Sequence, residues 1–309
     1  MHGSRFVSFL LPFAFVVVLA GRLPAQGGED FGVLVMAHGG SDAWNRAVLE
    51  AVAPLREDQP LEVAFGMADP RTLQEAVRRL EDRGVRRIAV VRLFVSGSSF
   101  LERTEKILGL RPGAPPAPAH GAEHGGHGGH ADGGEASHSM ALWRIETVSR
   151  FVLSEQGLAD APEMGAILAQ RALELSGDPE VEDVLILAHG PGDDEENERW
   201  VQSLRQRTEC LPHYAPFRRI EVLTLREDWP EKRVAAEERI RAFVERARAE
   251  GGRALVIPFR VYGFGPYAEV LEGKDYEADR VGLLPHPLVT KWIADRIREL
   301  REAEYRQPL

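Results

Sequence analysis

Short apolar runs alternate with amphipathic stretches along most of the chain. Residues 32–37 form one such run, and the segment after it puts Trp44, Val48, Val52 and Leu55 on one helical face. Leu61–Phe65 is a second run; a helical pattern with Leu73, Ala76, Val77 and Leu80 follows and stops at Gly84. Runs at 87–95 and 142–148 come next, then a helix carrying Ile167, Leu168, Ala172 and Leu175 that ends at Gly177. The order then repeats: strand 183–188, helix near 194–208, strand 219–225, helix 231–250 closed by Gly251, strand 253–259, and a last helix from Pro287. Continuous apolar strands alternating with amphipathic helices predict an α/β fold built on buried parallel sheets.

The repetition extends to the residues themselves. Val33–Gly39 reads VLVMAHG and Val184–Gly190 reads VLILAHG, so His38 and His189 close equivalent strands. Arg87–Val95 parallels Arg253–Val261, and Gly157–Pro162 parallels Gly282–Pro287, in the same order. Three matches in register argue for duplication. They divide the chain into similar halves, 31–177 and 181–304.

Between the matched segments lies 111–140, rich in Pro, Gly, Ala and His. It is too poor in apolar side chains to build a core and is expected to be disordered. Five of the ten histidines fall here: His120, His124, His127, His130 and His138. Imidazole binds Co, Ni, Zn and Cu(II), so the tract is a candidate metal-capture segment, against the plainer reading of a flexible linker. At the other end, Arg5 precedes an uncharged apolar stretch, 6–20, and then Gly21-Arg22-Leu23-Pro24-Ala25. This is the pattern of a secretory signal cleaved after Ala25; the apolar run is short of the roughly 20 residues a membrane span needs. A periplasmic or secreted protein without a stable membrane anchor is the expectation.

The net charge of −10 argues against nucleic acid as a partner. The single cysteine, Cys210, excludes an internal disulfide and any multi-cysteine metal site. Ala37-His38-Gly39-Gly40 is similar to an esterase oxyanion loop, but no Gly-x-Ser-x-Gly segment accompanies it, which disfavours a hydrolase. Ligands of parallel sheets bind beyond the carboxyl ends of the strands. His38 and His189 stand there, each followed by glycine, as candidate metal ligands or proton acceptors. His286, between two prolines, is either a helix-start residue or a third ligand.

These residues in this order, with Asp42 and Asn45 after the first strand, Ala68-Asp69-Pro70 opening a helix and Val90–Gly97 closing a strand, resemble the sirohydrochlorin cobaltochelatase/ferrochelatase family (CbiX/SirB-like) in its long duplicated form. The resemblance implies two flavodoxin-like, chelatase-type halves. It also implies insertion of Co²⁺ or Fe²⁺, as substrate metal, into a tetrapyrrole, with no organic cofactor. By resemblance His38 and His189 match the family's first metal histidine and His286 a family His-Pro. The second family histidine has no counterpart: Gly97-Ser98-Ser99-Phe100 and Gly265-Pro266-Tyr267 stand there. Glu227 is the candidate acidic residue, so the second half keeps more of the equipment: His189, Glu227, Tyr267, Glu269 and His286. Arg226, Arg260 and Tyr267 are the candidate substrate contacts, with Arg92, Arg103 and Lys274 as further cations near strand ends. The competing reading is a non-catalytic exported protein that binds a tetrapyrrole or Co/Ni on the same scaffold.

Overall fold

The computed structural model describes residues 30–118 and 141–309. The signal-like segment and His120, His124, His127, His130 and His138 lie outside the described residues. The first half runs β1 (Phe31–Ala37), α1 (Asp42–Val52), β2 (Leu61–Phe65), α2 (Pro70–Asp82), β3 (Arg87–Leu93), α3 (Leu101–Ile107), β4 (Arg150–Leu153) and α4 (Glu163–Leu175). The second runs β5 (Glu182–Ala188), α5 (Asp194–Thr208), α6 (Leu211–Tyr214), β6 (Arg219–Thr224), α7 (Pro230–Ala249), β7 (Arg253–Phe259), α8 (Tyr267–Val270), β8 (Tyr276–Ala278) and α9 (Pro287–Arg301).

The sheets are ordered β2-β1-β3-β4 and β6-β5-β7-β8, with every strand pair parallel. The two orders correspond strand for strand, which is the flavodoxin-like arrangement. Every residue of β1 and of β5 is buried. Helices cover both faces of each sheet, so the central strands are apolar throughout rather than alternating. Helix starts follow local chemistry: Ser41 Oγ accepts from Trp44 N, and Asp69 accepts from Arg71 N with Pro70 in the first turn of α2.

The halves are not independent lobes cut at residue 177. After β4, α4 crosses to the second sheet and lies against β7, α5 and α6; α9 crosses back and lies against β3 and α1. The crossings are tight. A Cβ at Gly165 of α4 would sit 2.5 Å from Arg207 O at the end of α5, and Thr290 Oγ of α9 donates to Ala51 O of α1 at 2.9 Å. The tail beyond α9 also stays with the first sheet, where Phe151 and Arg306 exchange backbone hydrogen bonds of 2.9 and 2.8 Å. Packing therefore assigns α4 to the second lobe and α9 to the first, correcting the boundaries drawn from sequence order.

Two further expectations change. The apolar stretch 142–148 is not a strand. Ile145 is buried under α2 and α3 instead, while the edge strand is β4, four residues long. Residues 111–118, expected to be without structure, are tied down. Arg111 pairs with Glu102 and Glu105, and Arg144 N donates to Pro115 O at 2.7 Å. Among the described residues no helix is long and apolar enough to cross a membrane.

One core cluster spans both lobes, including Val33 and Val91 from the first sheet, Ile186 and Ile257 from the second, and Trp292 of α9 at 1% exposure. The two lobes should accordingly unfold in one transition. Trp292→Ala should lower stability by about 3–5 kcal/mol without splitting that transition. Trp292→Phe should cost much less, because the indole N–H it removes has no hydrogen-bond partner. Paired denaturant melts followed by fluorescence and circular dichroism check both statements.

Candidate functional site

β1 and β5 end in the same local structure. Gly39 (φ +81°) and Gly190 (φ +76°) take the left-handed conformation that lets the chain leave the sheet sharply. That turn brings each glycine carbonyl back onto the histidine before it: Nδ1 lies 2.8 Å from the carbonyl oxygen in both His38 and His189. A carbonyl only accepts, so Nδ1 carries the hydrogen and Nε2 is presented outward. Each ring also meets an indole, Trp44 at 6.3 Å and Trp229 at 6.0 Å between centroids.

Beyond that shared core the lobes differ. After β6, Arg226 adopts a left-handed conformation (φ +61°), uncommon for a residue with a side chain. The bend lets Arg226 N and Glu227 N both donate to His189 O, at 2.7 and 3.4 Å. It also carries two carboxylates over the ring. His189 Nε2 is 3.1 Å from Asp228 Oδ2 and 3.9 Å from Glu227 Oε2. A neutral imidazole with hydrogen on Nδ1 offers only a lone pair at Nε2. Acceptors then face an acceptor unless a proton or a metal cation stands between them. In the first lobe the corresponding loop reads Gly66-Met67-Ala68, and Asp69 is spent capping α2.

Glu227 is gripped from below. Arg260, just past β7, donates Nη1 to Glu227 Oε1, and its guanidinium lies over the Tyr267 ring at 5.5 Å from the centroid. Gly265 holds a left-handed φ of +64°, and a Cβ there would come within 2.7 Å of that guanidinium, so the position favours glycine. Tyr267 is wholly buried; burial, and next to it Glu227, push its hydroxyl far above the usual phenol range, against the pull of Arg260. It stays a neutral phenol.

Residues 32–175 match the model of the CbiX family. The first lobe is thereby similar to the CbiX family along nearly its whole length. The fold likeness extends over both lobes of this CbiX-like chain. It superposes on SirB from Bacillus subtilis, solved with Fe³⁺, at TM-score 0.59 with 12% identity, covering 88% of this chain and 96% of that one. SirB from Bacillus subtilis subspecies spizizenii, in complex with cobalt, gives TM-score 0.55 at 13% identity, with 88% and 95% covered. DR2241 from Deinococcus radiodurans, a multi-domain protein with structural similarity to chelatases, gives 0.50 at 20% identity, covering 88% of this chain and 56% of that one. No curated protein matches the chain.

The structure gathers His189, Glu227 and Arg260, and adds Asp228, which sequence reasoning passed over in favour of its neighbour. Other expected site residues are engaged elsewhere. Tyr267 cannot touch a ligand from outside because it has no exposed surface. Arg226 donates to Pro191 O, Gly192 O and Asp194, so it clamps the loop before α5 and is not a free substrate contact. Arg260 is matched by Glu227. Arg92, buried, holds Gly97 O, Ser99 O and Ser154 O, and burial brings its guanidinium down to about 10. Arg103 binds Ala68 O and Ala141 O, Lys274 pairs with Glu245, and Glu269 is exposed on α8.

His286 is a helix-start residue. Its Nδ1 accepts from Leu288 N at 3.1 Å and its Nε2 lies 3.0 Å from Gln170 Oε1, which leaves no nitrogen for a metal. Among the described residues no three His, Cys, Asp or Glu side chains form a group able to hold a metal ion. Nor do the two strand-end histidines line the cleft between the lobes. That cleft, about 530 Å³, is walled by Ser96, Ser98, Asp160, Glu196 and Trp200 among others, with Ser98 Oγ donating to Glu196 across it at 3.0 Å.

Burial, and then Arg171, hold His286 below the usual imidazole range, with Glu174 opposing. The folded chain thus binds this proton less readily than the unfolded chain. The stability due to neutral His286 is complete above about pH 6.5 and is lost as pH falls from there through the lowered folded value. His286→Gln should therefore lose less melting temperature than the parent between pH 7 and 5, as measured in parallel thermal scans.

Proposed function

We propose that this chain is a sirohydrochlorin-type chelatase, acting at the second lobe, that inserts Co²⁺ or Fe²⁺ into a tetrapyrrole. The observation that carries the reading is the His189 imidazole, fixed by Gly190, with its outward nitrogen set against carboxylates at the carboxyl edge of a parallel sheet. The family match over residues 32–175 supports the reaction class, and the likeness to SirB structures holding Fe³⁺ or cobalt supports the choice of substrate metals.

Insertion sets two tasks. A dication must be held with an open side toward the ring, and two pyrrole N–H protons must leave. An imidazole nitrogen serves the first as a borderline ligand, and the same nitrogen, once the metal has moved on, can take a proton. The neighbouring carboxylates lower the cost of holding a dication at a partly exposed surface and give the proton a path to water. His38 is the counterpart in the first lobe, where Gly66-Met67-Ala68 stands in the loop corresponding to 226–228. The signal-like 1–25 segment fits a periplasmic or secreted site of action, and the tract His120–His138 fits metal capture ahead of insertion.

A second reading, a binding protein without turnover, draws on the arginines: Arg226, Arg260 and Arg92 are committed to the protein itself rather than left for the ring's carboxylates. Absorption spectra of sirohydrochlorin with Co²⁺ and the mature chain separate the two. Metallation well beyond one equivalent per chain is the expected result, and a single stoichiometric shift would establish the binder. His189→Ala should abolish turnover while leaving the melting temperature within a few degrees of the parent. Full activity in that variant would remove the site from the second lobe.

A further inference from the structure

We infer that the acidic metal partner of His189 is Asp228, and that Glu227, the acidic residue to which the resemblance pointed, serves instead as the counter-charge of Arg260. The inference rests on the proposed metal site at His189 and goes beyond it by naming which carboxylate holds the ion.

Distance separates the two candidates. Ligands bonded to a first-row dication at about 2.1 Å are about 3.0 Å apart at an octahedral right angle and about 3.4 Å apart in a tetrahedron. Asp228 Oδ2 stands 3.1 Å from His189 Nε2, inside that interval. Glu227 Oε2 stands 3.9 Å away, outside it. One ion can reach His189 and Asp228 as they are placed; to reach Glu227 it must first pull that side chain away from its partner.

Charge points the same way. Glu227 is 11% exposed and its other oxygen is held by Arg260, itself 26% exposed and stacked on buried Tyr267. Rotating Glu227 toward a metal would strip the guanidinium of its counter-charge in a poorly solvated place, a costly exchange. Asp228 is 70% exposed and, among the described residues, has no lysine or arginine paired with it, so its charge is available to an incoming ion. Arg260 also stands just past β7, where the resemblance would put the family's second histidine. That leaves a two-ligand cradle, His189 and Asp228, both of them partly exposed. Such a cradle holds a metal weakly, which suits an ion that must be handed on.

Trp229 supplies a local probe, since its ring lies 6.0 Å from that of His189. Co²⁺ is titrated into the full chain while tryptophan fluorescence is followed, and the part of the quench that Trp229→Phe removes is assigned to this site. Asp228→Asn should raise the Co²⁺ concentration for half-quenching by at least about tenfold, and Glu227→Gln by less than about threefold. Because Glu227→Gln leaves Arg260 unmatched, Glu227→Gln/Arg260→Gln is run beside it, with the same small shift expected. A shift for Glu227→Gln, or for the double variant, equal to or larger than that for Asp228→Asn overturns the inference. So does a null result for both single variants when His189→Ala abolishes the quench, an outcome that leaves the metal site itself standing. An unchanged quench in His189→Ala overturns site and inference together.

Discussion

The hydrogen bond from a histidine Nδ1 to the carbonyl of the next glycine is the constraint on which the chemistry of this protein depends. It forms only because the glycine takes a conformation closed to most residues, and the glycine takes it because a fully buried strand must turn sharply at its end. Fold and ring orientation are thus one fact. The same 2.8 Å contact recurs at His38 and His189, as duplication would leave it. What each lobe adds around it diverged.

That divergence is governed by charge. The second lobe sets Glu227 and Asp228 beside its imidazole, and it stabilises the part-buried Arg260 through one carboxylate while leaving the other in solvent. The first lobe has Gly66-Met67-Ala68 in the corresponding loop. Its buried arginine, Arg92, sits two residues earlier, within β3, and ties down the loop 96–99 through backbone carbonyls. Two arginines at comparable strand ends therefore do different work, one shaping a loop and one setting the charge of a site.

Much of the fold was legible in the chain. Continuous apolar runs announced buried parallel strands, helices α5 and α7 fell within a residue of their expected spans, and α9 starts at the expected Pro287. The repeated Ala-His-Gly located both strand-end histidines. The exchange of α4 and α9 was not legible, because periodicity shows that a helix has an apolar face but not which sheet that face meets. The burial of Tyr267 and the clamping by Arg226 escaped for a related reason. Residue type alone says nothing about whether a side chain's partners are ligands or its own backbone. Asp228 was overlooked because neighbouring residues on a loop are ranked only by a bend, here the left-handed Arg226, that no spacing rule predicts.

The crossing of α4 and α9 has a consequence for how such a molecule arises. A single half made alone would leave its sheet missing one covering helix while offering a spare helix of matching shape. Two copies would satisfy each other by reciprocal loan, the swapped pairing that makes a twofold dimer cheap to form. Joining the copies end to end converts that loan into an internal one. Each half is then free to lose what the other retains, without the molecule ever coming apart.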